Sequence, residues 1–421
     1  MKTLLAAADE RLSSWPWLAA ALLCFVGTLV YQHYYSWCLR NYKQLHHVPP
    51  GSLGLPLVGE MLQFSLFSKS PIGTPLPFFS SRFRRYGSVF KTHLVGRPTV
   101  VSMDPELTKF LLSNEDKLLH AYVPKYFTKF LGPIVYLSGP THRAFRDVAN
   151  LCVSSTAVQK LHVETVQEHL LACLSSWLKH AESPSSINVV DAQKHCREWV
   201  FTYSIKYFLG LEADDPLTLA LMPDFFLIST GYASIPINLP GTKFNKVVKA
   251  YERIKSTVAQ VVRSRKLQSQ VKEKDFLDIL LKRADEDGQY CSGIPVADWI
   301  FAFVWGGYEN TATLFINIIK FLSENEHVVD ELRKEHFGIR KGSLDQAKKL
   351  TWDDYRKMHL TKNVLKETLR LASITQHVFR KTLEDIHFKD VVFLASTQGD
   401  MPMEVTEETL QAVLDEDSVI V

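Results

Sequence analysis

Hydrophobic and polar positions follow a helical period through most of the chain. Four stretches carry apolar residues at i, i+3 and i+4, a spacing that places them on one helix face. They are Val163–Leu178, Lys246–Arg265, Val296–Leu322 and Thr361–Leu371. Asp275–Gly288 predicts a shorter amphipathic helix that ends at an acidic turn. The pattern therefore predicts a mainly helical body.

Two regions of the sequence predict extended structure. Arg85–Asp104 contains two runs rich in β-branched residues, and Gly96-Arg97-Pro98 lies between them as a predicted turn. A second extended run, Glu384–Asp390, follows the last predicted helix. The fold class is therefore mainly α with a small β region.

The N-terminal part of the chain predicts a membrane anchor. Trp15–Tyr31 carries no charged residue, and its 17 residues are at the lower limit for a membrane-spanning helix. Aromatic residues flank this run, and Arg40 and Lys43 follow it, which predicts a cytosolic body. We therefore predict an N-terminal segment at 1–14 and a transmembrane helix at 15–38. A cleaved signal peptide is one alternative, but no A-x-A-like cleavage site follows the apolar run. A buried core helix is the other alternative.

The anchor is followed by a connector and then by the body of the chain. Residues 39–59 include Pro49 and Pro50, which fix φ, and glycines that permit sharp turns, so a stiff, bent connector is predicted. One domain is predicted at 60–390, and a divergent acidic tail at 391–421. Within the domain, the Pro/Gly-broken loop Gly231–Phe244 is consistent with a mobile lid or with an ordinary interhelical loop.

Composition and charge narrow the possible functions. The chain of 421 residues is 46% hydrophobic and 22% charged, as in ordinary globular proteins. Its net charge of +3 and the absence of a basic stripe with interleaved aromatics argue against a nucleic-acid partner. The six cysteines show no C-x-x-C spacing, which argues against a zinc site or a disulfide framework.

Three groups of residues are candidates for chemistry. In Phe301–Phe315, Gly306 and Gly307 interrupt the apolar pattern of a predicted helix. The carboxylate of Glu309 and the hydroxyls of Thr311 and Thr313 follow, and such groups are able to relay protons. A buried helix with a packing notch explains the same pattern. His142 and Arg146 lie at i,i+4 and either bind an anion or form a solvated basic face. Glu367 and Arg370, at i,i+3, form a charge pair of a kind that any exposed helix makes.

The order of these features along the chain is informative. The anchor and the proline-rich connector precede G-P-x-H-R-x-x-R, then G-G-x-E-N-T and finally K-E-T-L-R. In this order they resemble the heme-thiolate monooxygenases of the cytochrome P-450 family, over about Tyr42–Asp390. PPGSLGLPLVGE, RYGSVFKTHLVGRPTVVSMDPEL, SIPINLPGTKF, DELRKEHFGIR and KETLRLASITQHVFRKT also carry the resemblance. It is greatest to plant members that oxidise steroids, those of brassinosteroid synthesis in particular, and terpenoids.

The resemblance implies a cofactor, partners and a location. A cytochrome P-450 fold binds heme and receives electrons from NADPH through cytochrome P-450 reductase. The expected substrate is an apolar small molecule. The expected location is the endoplasmic reticulum membrane, with a single membrane pass and a cytosolic body.

The resemblance also assigns residues to the oxygen side of the heme. Gly306 and Gly307 match the small-residue notch of the long central helix, and Glu309 matches its acidic residue. Asn310 stands where the family usually has a threonine that helps to deliver protons to bound dioxygen. The amide of Asn310 forms hydrogen bonds but does not replace the threonine hydroxyl as a proton relay. Thr311 matches the following threonine or serine.

Further matches concern the heme carboxylates and the heme-binding core. His142 and Arg146 match the helix that meets one propionate, and Arg380 matches a basic residue that often meets the other. An arginine suits a carboxylate because it forms a bidentate, charge-assisted pair. Glu367 and Arg370 match a structural pair that braces the heme-binding core together with a later arginine.

The axial ligand of the family has no counterpart in this sequence. The family continues into a loop of the type F-x-x-G-x-R-x-C-x-G, whose cysteine holds the iron. Here the chain continues into the tail 391–421, and no cysteine follows Cys291. His377 and His387 lie nearby, but a histidine is more often an ordinary surface or packed residue. We therefore expect no metal ligand, a fold incomplete at its C-terminus, and no activity of the chain as written.

Two other interpretations stay open on the sequence alone. The chain is consistent with a non-catalytic, membrane-anchored protein that binds an apolar ligand or a partner without heme. Thr406–Leu414, a short helix candidate in the tail, would then be the element to cover the exposed core. Alternatively, the chain is too incomplete to fold, because the net stability of a domain is only about 5–15 kcal/mol.

Overall fold

A computed structural model describes most of the chain in two compact units. The described residues are 19–33, 49–55, 59–66, 77–94, 97–115, 117–123, 125–132, 139–154, 156–181, 191–232, 234–267, 275–286, 294–341, 349–372, 374, 378–389 and 391–393. Unit 1 comprises Met1–Lys69, Leu76–His120 and Lys381–Asp400, and unit 2 comprises Ser70–Pro75, Ala121–Arg380 and Met401–Val421. The domain limits predicted at 14, 38, 59 and 390 stay predictions.

The structure describes part of the predicted membrane anchor as a helix. Helix α1 covers residues 19–33, and apolar side chains such as Leu22 and Leu23 are exposed on it. Among the described residues no helix has the length and apolar character needed to cross a membrane. The structure therefore does not support the predicted span 15–38, whose residues 15–18 and 34–38 lie outside the described ranges.

The described part of the predicted connector pairs with a strand of unit 1. The amide of Lys91 donates to the carbonyl of Pro50 at 2.8 Å, and Gly51 forms a bridge to Lys91. Gly51 has a φ of 148°, and a Cβ atom there would lie 2.0 Å from the Lys91 carbonyl oxygen. Only glycine permits this conformation and this close approach.

Unit 1 contains short helices and paired strands. Besides α1, its described helices are α2 (Met61–Leu66), α3 (Pro77–Tyr86) and α4 (Pro105–Ser113). Strands β1 (Val89–Leu94) and β2 (Arg97–Ser102) are antiparallel, with Val89 opposite Ser102 and Leu94 opposite Arg97. This confirms the extended region predicted at 85–104. Arg97 and Pro98, however, belong to β2 and not to the turn.

The remaining strands are short. They are β3 (Leu119–Ala121), β4 (Arg380–Thr382), β5 (Ile386–Phe388) and β6 (Val391–Phe393). Strand β3 pairs with β4, and β5 pairs antiparallel with β6. The extended run predicted after the last helix is thus confirmed as β5.

An ion pair is buried beneath β1 in unit 1. The Arg82 guanidinium donates from Nε and Nη2 to the two carboxylate oxygens of Glu60, at 3.0 and 2.9 Å. The Thr92 hydroxyl donates to the same carboxylate at 2.5 Å, and Gln63 Oε1 accepts from Arg82 Nη2 at 2.7 Å. The guanidinium also lies 3.5 Å from the ring centroid of Phe78. Both charges are therefore satisfied away from water.

Unit 2 is helical. After a 3₁₀ turn at Lys125–Phe127, its helices are α5 (Thr128–Leu131), α6 (Gly139–Ser154), α7 (Thr156–Ala181), α8 (Ala192–Leu209), α9 (Pro216–Gly231), α10 (Lys243–Leu267), α11 (Phe276–Glu286), α12 (Val296–Ser323), α13 (Glu326–Lys341), α14 (Trp352–Lys357) and α15 (His359–Ala372). The helices predicted from periodicity are confirmed as α7, α10, α11, α12 and α15.

The core of unit 2 forms around α12. This helix packs against α8, α10 and α15. Its Trp299, Ile300 and Tyr308 are fully buried, as are Phe201 of α8 and Val247 of α10. A helix that is apolar on most of its circumference is stable in such a central position, because neighbouring helices cover most of it.

The start of α15 is held by a carboxylate of α13. Glu335 accepts hydrogen bonds from the amides of Leu360 and Thr361, at 2.7 and 3.0 Å, and from the Thr361 hydroxyl at 2.7 Å. These amides belong to the first turn of α15, whose N–H groups have no partner within the helix. Burial acts to raise the pKa of Glu335, but the three hydrogen bonds outweigh it and lower the pKa. The contact fixes the position of α15 relative to α13.

Candidate active site

The two glycines of α12 have different surroundings. A Cβ atom at Gly307 would lie 3.2 Å from the Phe208 ring of α8, whereas a Cβ atom at Gly306 would meet no described atom within 4 Å. Helix α12 runs through both positions without a break. This agrees with the helix predicted over Val296–Leu322, in which both glycines are interior positions. Gly307 allows α8 to approach closely, and Gly306 leaves one side of α12 open.

Glu309 faces α8 and is engaged by a cation there. Arg197 Nη1 lies 3.4 Å from Glu309 Oε2 and donates to the Tyr308 hydroxyl at 3.3 Å. The side chains of Arg197 and Glu309 are 22% and 21% exposed. Burial acts to lower the pKa of Arg197, but Glu309 and Tyr308 outweigh it and raise the pKa. The carboxylate proposed for proton transfer thus has a charged partner between two helices.

The three residues predicted as catalytic point in different directions. Successive residues of a helix are about 100° apart around its axis, so Glu309, Asn310 and Thr311 diverge. Asn310 is exposed and lies four residues after Gly306, on the same open side of α12. Thr311 is half-buried. The structure therefore brings Asn310 and Gly306 together on one face, and places Glu309 on another.

An aromatic contact brings α6 against α12. The Phe145 ring stacks on Phe303 of α12, with ring centroids 4.7 Å apart and an interplanar angle of 4°. It also contacts Trp299, at 5.2 Å. Phe303 lies one turn before Gly306, so α6 meets α12 next to the open face.

His142 and Arg146 lie on both sides of this contact along α6. They are exposed, and no hydrogen bond or ion pair joins either one to another described residue. Their spacing of four residues places both on one face of the helix, as predicted. Two exposed nitrogen-bearing side chains beside the open face of α12 suit an anionic group such as a carboxylate. Arg380 is half-buried at the start of β4 and donates from Nη1 to the Phe379 carbonyl at 3.0 Å.

Glu367 and Arg370 form the predicted pair on α15. Arg370 donates from Nε and Nη2 to the two oxygens of Glu367, at 2.7 and 2.5 Å. The Arg370 side chain is 66% exposed and that of Glu367 is 54% exposed. The hydrogen bond from Arg370 lowers the pKa of Glu367. Among the described residues the pair is thus a surface contact, and its bracing role stays a prediction.

Sequence reasoning missed two contacts that shape the site. Arg197 interrupts the otherwise apolar stripe of Val200, Phe201 and Ser204 on α8, and a cation in such a stripe signals a buried partner. The stacking of Phe145 on Phe303 gave no sequence signal, because two phenylalanines so far apart along the chain are not paired by any local pattern.

The comparison with known proteins identifies the family. The cytochrome P450 family profile matches residues 49–399. Cytochrome P450 724B1 of Oryza sativa subsp. japonica is 32% identical over 372 residues, which are 88% of this chain and 75% of that protein. The chain belongs to the cytochrome P450 family. Members of this family are heme-dependent monooxygenases that generally act on apolar substrates and take electrons from a redox partner.

Other cytochromes P450 support the assignment. Cholesterol 16,22-dihydroxylase CYP90G4 of Trigonella foenum-graecum is 29% identical over 360 residues, 83% of this chain and 72% of that protein. Among solved structures, retinoic acid-bound cyanobacterial CYP120A1 matches with a TM-score of 0.69 and 23% identity, over 83% of this chain and 75% of that one. At this identity the structural match shows the fold alone. The predicted mainly helical P450 fold is therefore confirmed.

Among the described residues of this cytochrome P450, groups that suit heme are found beside the open face of α12. The open face at Gly306 and the exposed cations of α6 suit a flat group that carries carboxylates. The described cysteine side chains do not suit the axial position, since Cys173 and Cys196 lie in the helical core and burial raises the pKa of both thiols. Cys24 lies on α1 in the other unit. The axial ligand of the family is a thiolate, which these buried, protonated thiols do not supply.

Proposed function

We propose that this cytochrome P450 is of the plant type that hydroxylates a steroid, brassinosteroid-like substrate or a terpenoid. The observation that carries the proposal is the open face of α12 at Gly306 and Asn310, beside the docked helix α6. An apolar ligand fits such a face because Gly306 adds no side chain and α12 is mostly apolar. The similarity to a cholesterol dihydroxylase favours a steroid. The predicted endoplasmic-reticulum location stays a prediction.

The proposed reaction is that of the family, RH + O₂ + 2e⁻ + 2H⁺ → ROH + H₂O, with electrons from NADPH through a reductase. Asn310 lies on the open face, where its amide is able to donate and accept hydrogen bonds but has no acidic proton to pass on. Glu309 is held by Arg197 and is therefore less available as an acid than the resemblance implies. These two residues predict poor proton delivery on this side of α12.

We propose further that the 421-residue chain by itself does not perform this reaction. Residues 292–421 contain no cysteine, and the buried thiols of Cys173 and Cys196 stay protonated near neutral pH. A protonated thiol is a poor iron ligand. The non-catalytic alternative, a protein that binds an apolar ligand without heme, is less favoured because a curated relative is a hydroxylase.

The heme part of the proposal is tested with a carbon monoxide difference spectrum of the full chain, expressed in membranes with heme supplied. We expect detectable protein, but not the Soret band that a thiolate-ligated heme gives in its reduced, carbon monoxide-bound form. A related plant cytochrome P450 expressed in parallel is the positive control. A thiolate band from the chain would contradict the proposed inactivity. Serine variants of Cys152, Cys173, Cys196 and Cys291, made one at a time, would then identify the ligand.

The substrate part is tested without heme. Cholesterol is titrated into the chain while tryptophan fluorescence is recorded. Gly306→Leu, which fills the open face, is expected to weaken binding at least about tenfold, or roughly 1.4 kcal/mol. Gly338→Leu on α13 is the matched control, because Gly338 also lies in a helix with no described atom within 4 Å of an added Cβ atom. Equal binding by both variants would show that α12 does not hold the sterol.

A further inference from the structure

Helix α15 exposes a basic face that nothing described covers. Lys362, Lys366 and Arg370 follow at intervals of four residues and therefore lie on one side of the helix. Leu369 falls on the same side, and its side chain is 49% exposed. The opposite side carries Thr368, which is buried in unit 2. We call the set Lys362, Lys366, Leu369 and Arg370 the basic face.

The charges of the basic face are only partly compensated. Arg370 is paired with Glu367. Lys362 donates to the carbonyl of Arg356 at 2.7 Å and lies over the Tyr355 ring, so it has no carboxylate partner there. No hydrogen bond or ion pair joins Lys366 to another described residue. The face therefore presents two uncompensated ammonium groups beside an exposed leucine.

The sequence contains a segment of complementary composition. Residues 394–421 carry seven acidic side chains and no lysine, arginine or histidine. The acidic residues are Asp400, Glu404, Glu407, Glu408, Asp415, Glu416 and Asp417. Leu410, Val413 and Leu414 have the i, i+3, i+4 spacing of an apolar stripe. The segment, which we call the acidic tail, lies outside the described residues.

We propose that the acidic tail docks on the basic face of α15. Its carboxylates would pair with Lys362 and Lys366, and its apolar stripe would cover Leu369. Charge pairing alone at a surface is weak, but apolar contact together with several opposite charges gives a specific site. A docked tail would also compete with any acidic protein for the same lysines.

The length of the tail permits this contact. The described chain ends with β6 at Phe393, and 28 residues follow. An extended segment of that length spans about 90 Å and so reaches far beyond β6. Reach therefore does not restrict where the tail docks, and the charge and apolar pattern decide it.

The test is zero-length crosslinking of the full chain with a carbodiimide, followed by peptide mass spectrometry. This reagent joins a carboxylate to an amine only where the two are in contact. We expect tail peptides joined to Lys362 and Lys366 at least about fivefold more than to Lys246 and Lys249, which are exposed on α10. The yield should fall as salt rises to about 0.5 M, because salt screens exposed charges.

Two matched variants separate docking from general attraction. Glu404→Lys, Glu407→Lys and Glu408→Lys, introduced together, should abolish the crosslinks to α15. Asp330→Lys with Glu331→Lys on α13 changes similarly exposed charges and should leave the crosslinks unchanged. Unchanged crosslinking in the tail variant, or equal yields at the α10 lysines, would overturn the proposal.

A mixture of ¹⁵N-labelled and unlabelled chains identifies the molecule that supplies the tail. Crosslinks within one isotope only would support docking of the chain's own tail. Crosslinks that join a labelled peptide to an unlabelled one would show that the tail comes from a second copy of the chain. That result would overturn the proposal that the tail docks on its own α15. Absence of tail crosslinks, while Lys366 still reacts with a small soluble carboxylate, would overturn it as well.

Discussion

Replacing Glu60 with alanine is expected to lower the free energy of unfolding of unit 1 by about 3–5 kcal/mol. The Arg82 and Glu60 side chains are only 10% and 7% exposed, so removal of the carboxylate leaves a guanidinium buried without its counter-charge. The hydroxyl of Thr92 also loses its acceptor. The loss therefore exceeds that of a surface ion pair, in which water replaces the missing partner.

The measurement is native-state hydrogen exchange of the amides in β1, the strand that contains Thr92, combined with urea denaturation. Faster exchange confined to unit 1 is the expected result. Replacing Asp330 with alanine is the control, because its pair with Arg333 on α13 is exposed and its loss should leave exchange unchanged. Equal exchange rates in the Glu60 and Asp330 variants would contradict the buried-pair argument.

A second variant distinguishes charge from packing at the same place. Replacing Glu60 and Arg82 together, with glutamine and methionine, removes both charges and keeps similar volume. We expect this double variant to be more stable than the Glu60→Ala variant, since no charge is then left unpaired. A double variant as unstable as the single one would show that packing, and not the unpaired guanidinium, dominates the loss.

Periodicity predicted the long amphipathic helices well but missed α8 and α9. Helix α10 has one buried side and one exposed side, so its apolar residues repeat with the helical period. Helix α8 is covered by neighbours on several sides, and its charged residues have partners there, so no single stripe appears. Helix α9 contains Pro223, which in a sequence indicates a break although the helix continues through it.

The sequence indicated candidate site residues but not the directions of their side chains. The sequence indicated Gly306, Gly307 and Glu309 as one functional group, and resemblance to a family reinforced that view. The partner of Glu309 is Arg197, which lies 112 residues earlier in the chain. No local pattern connects two residues so far apart, because the contact exists only once α8 and α12 have packed.

The open face of α12 depends on the same packing. Gly307 lets Phe208 approach, which fixes the rotation of α12 about its axis relative to α8. That rotation directs Gly306 and Asn310 away from the core and Glu309 toward Arg197. The sequence determines these directions only through the packed helices, and the catalytic role of Glu309, Asn310 and Thr311 stays a prediction.

Replacing Phe303 with alanine is expected to cost about 3–5 kcal/mol of the free energy of unfolding of unit 2. The side chain is only 8% exposed. Its ring lies 4.7 Å from Phe145, 5.1 Å from Phe276 and 5.9 Å from Phe208 between ring centroids. Truncation leaves a cavity at the junction of α6, α8, α11 and α12, and cavities of this size are not filled by relaxation of neighbours.

The same change should release α6 from α12 and so displace His142 and Arg146. We expect hydrogen exchange in α6 to accelerate more than in α10. Phe337→Ala on α13 is the matched control, because that ring is 61% exposed and contributes little to the core. If exchange in α6 is unchanged by Phe303→Ala, the stack on Phe145 does not hold the helix.

A double-mutant cycle of Phe145 and Phe303 isolates the stack from the cavity. The coupling energy expected for a parallel pair at this distance is about 0.5–1.5 kcal/mol beyond the lost burial. The remaining loss in Phe303→Ala would then belong to its contacts with Phe208 and Phe276. A coupling near zero would mean that α6 is positioned by Val148 and its other buried contacts, and the cations beside the open face would then not depend on the stack.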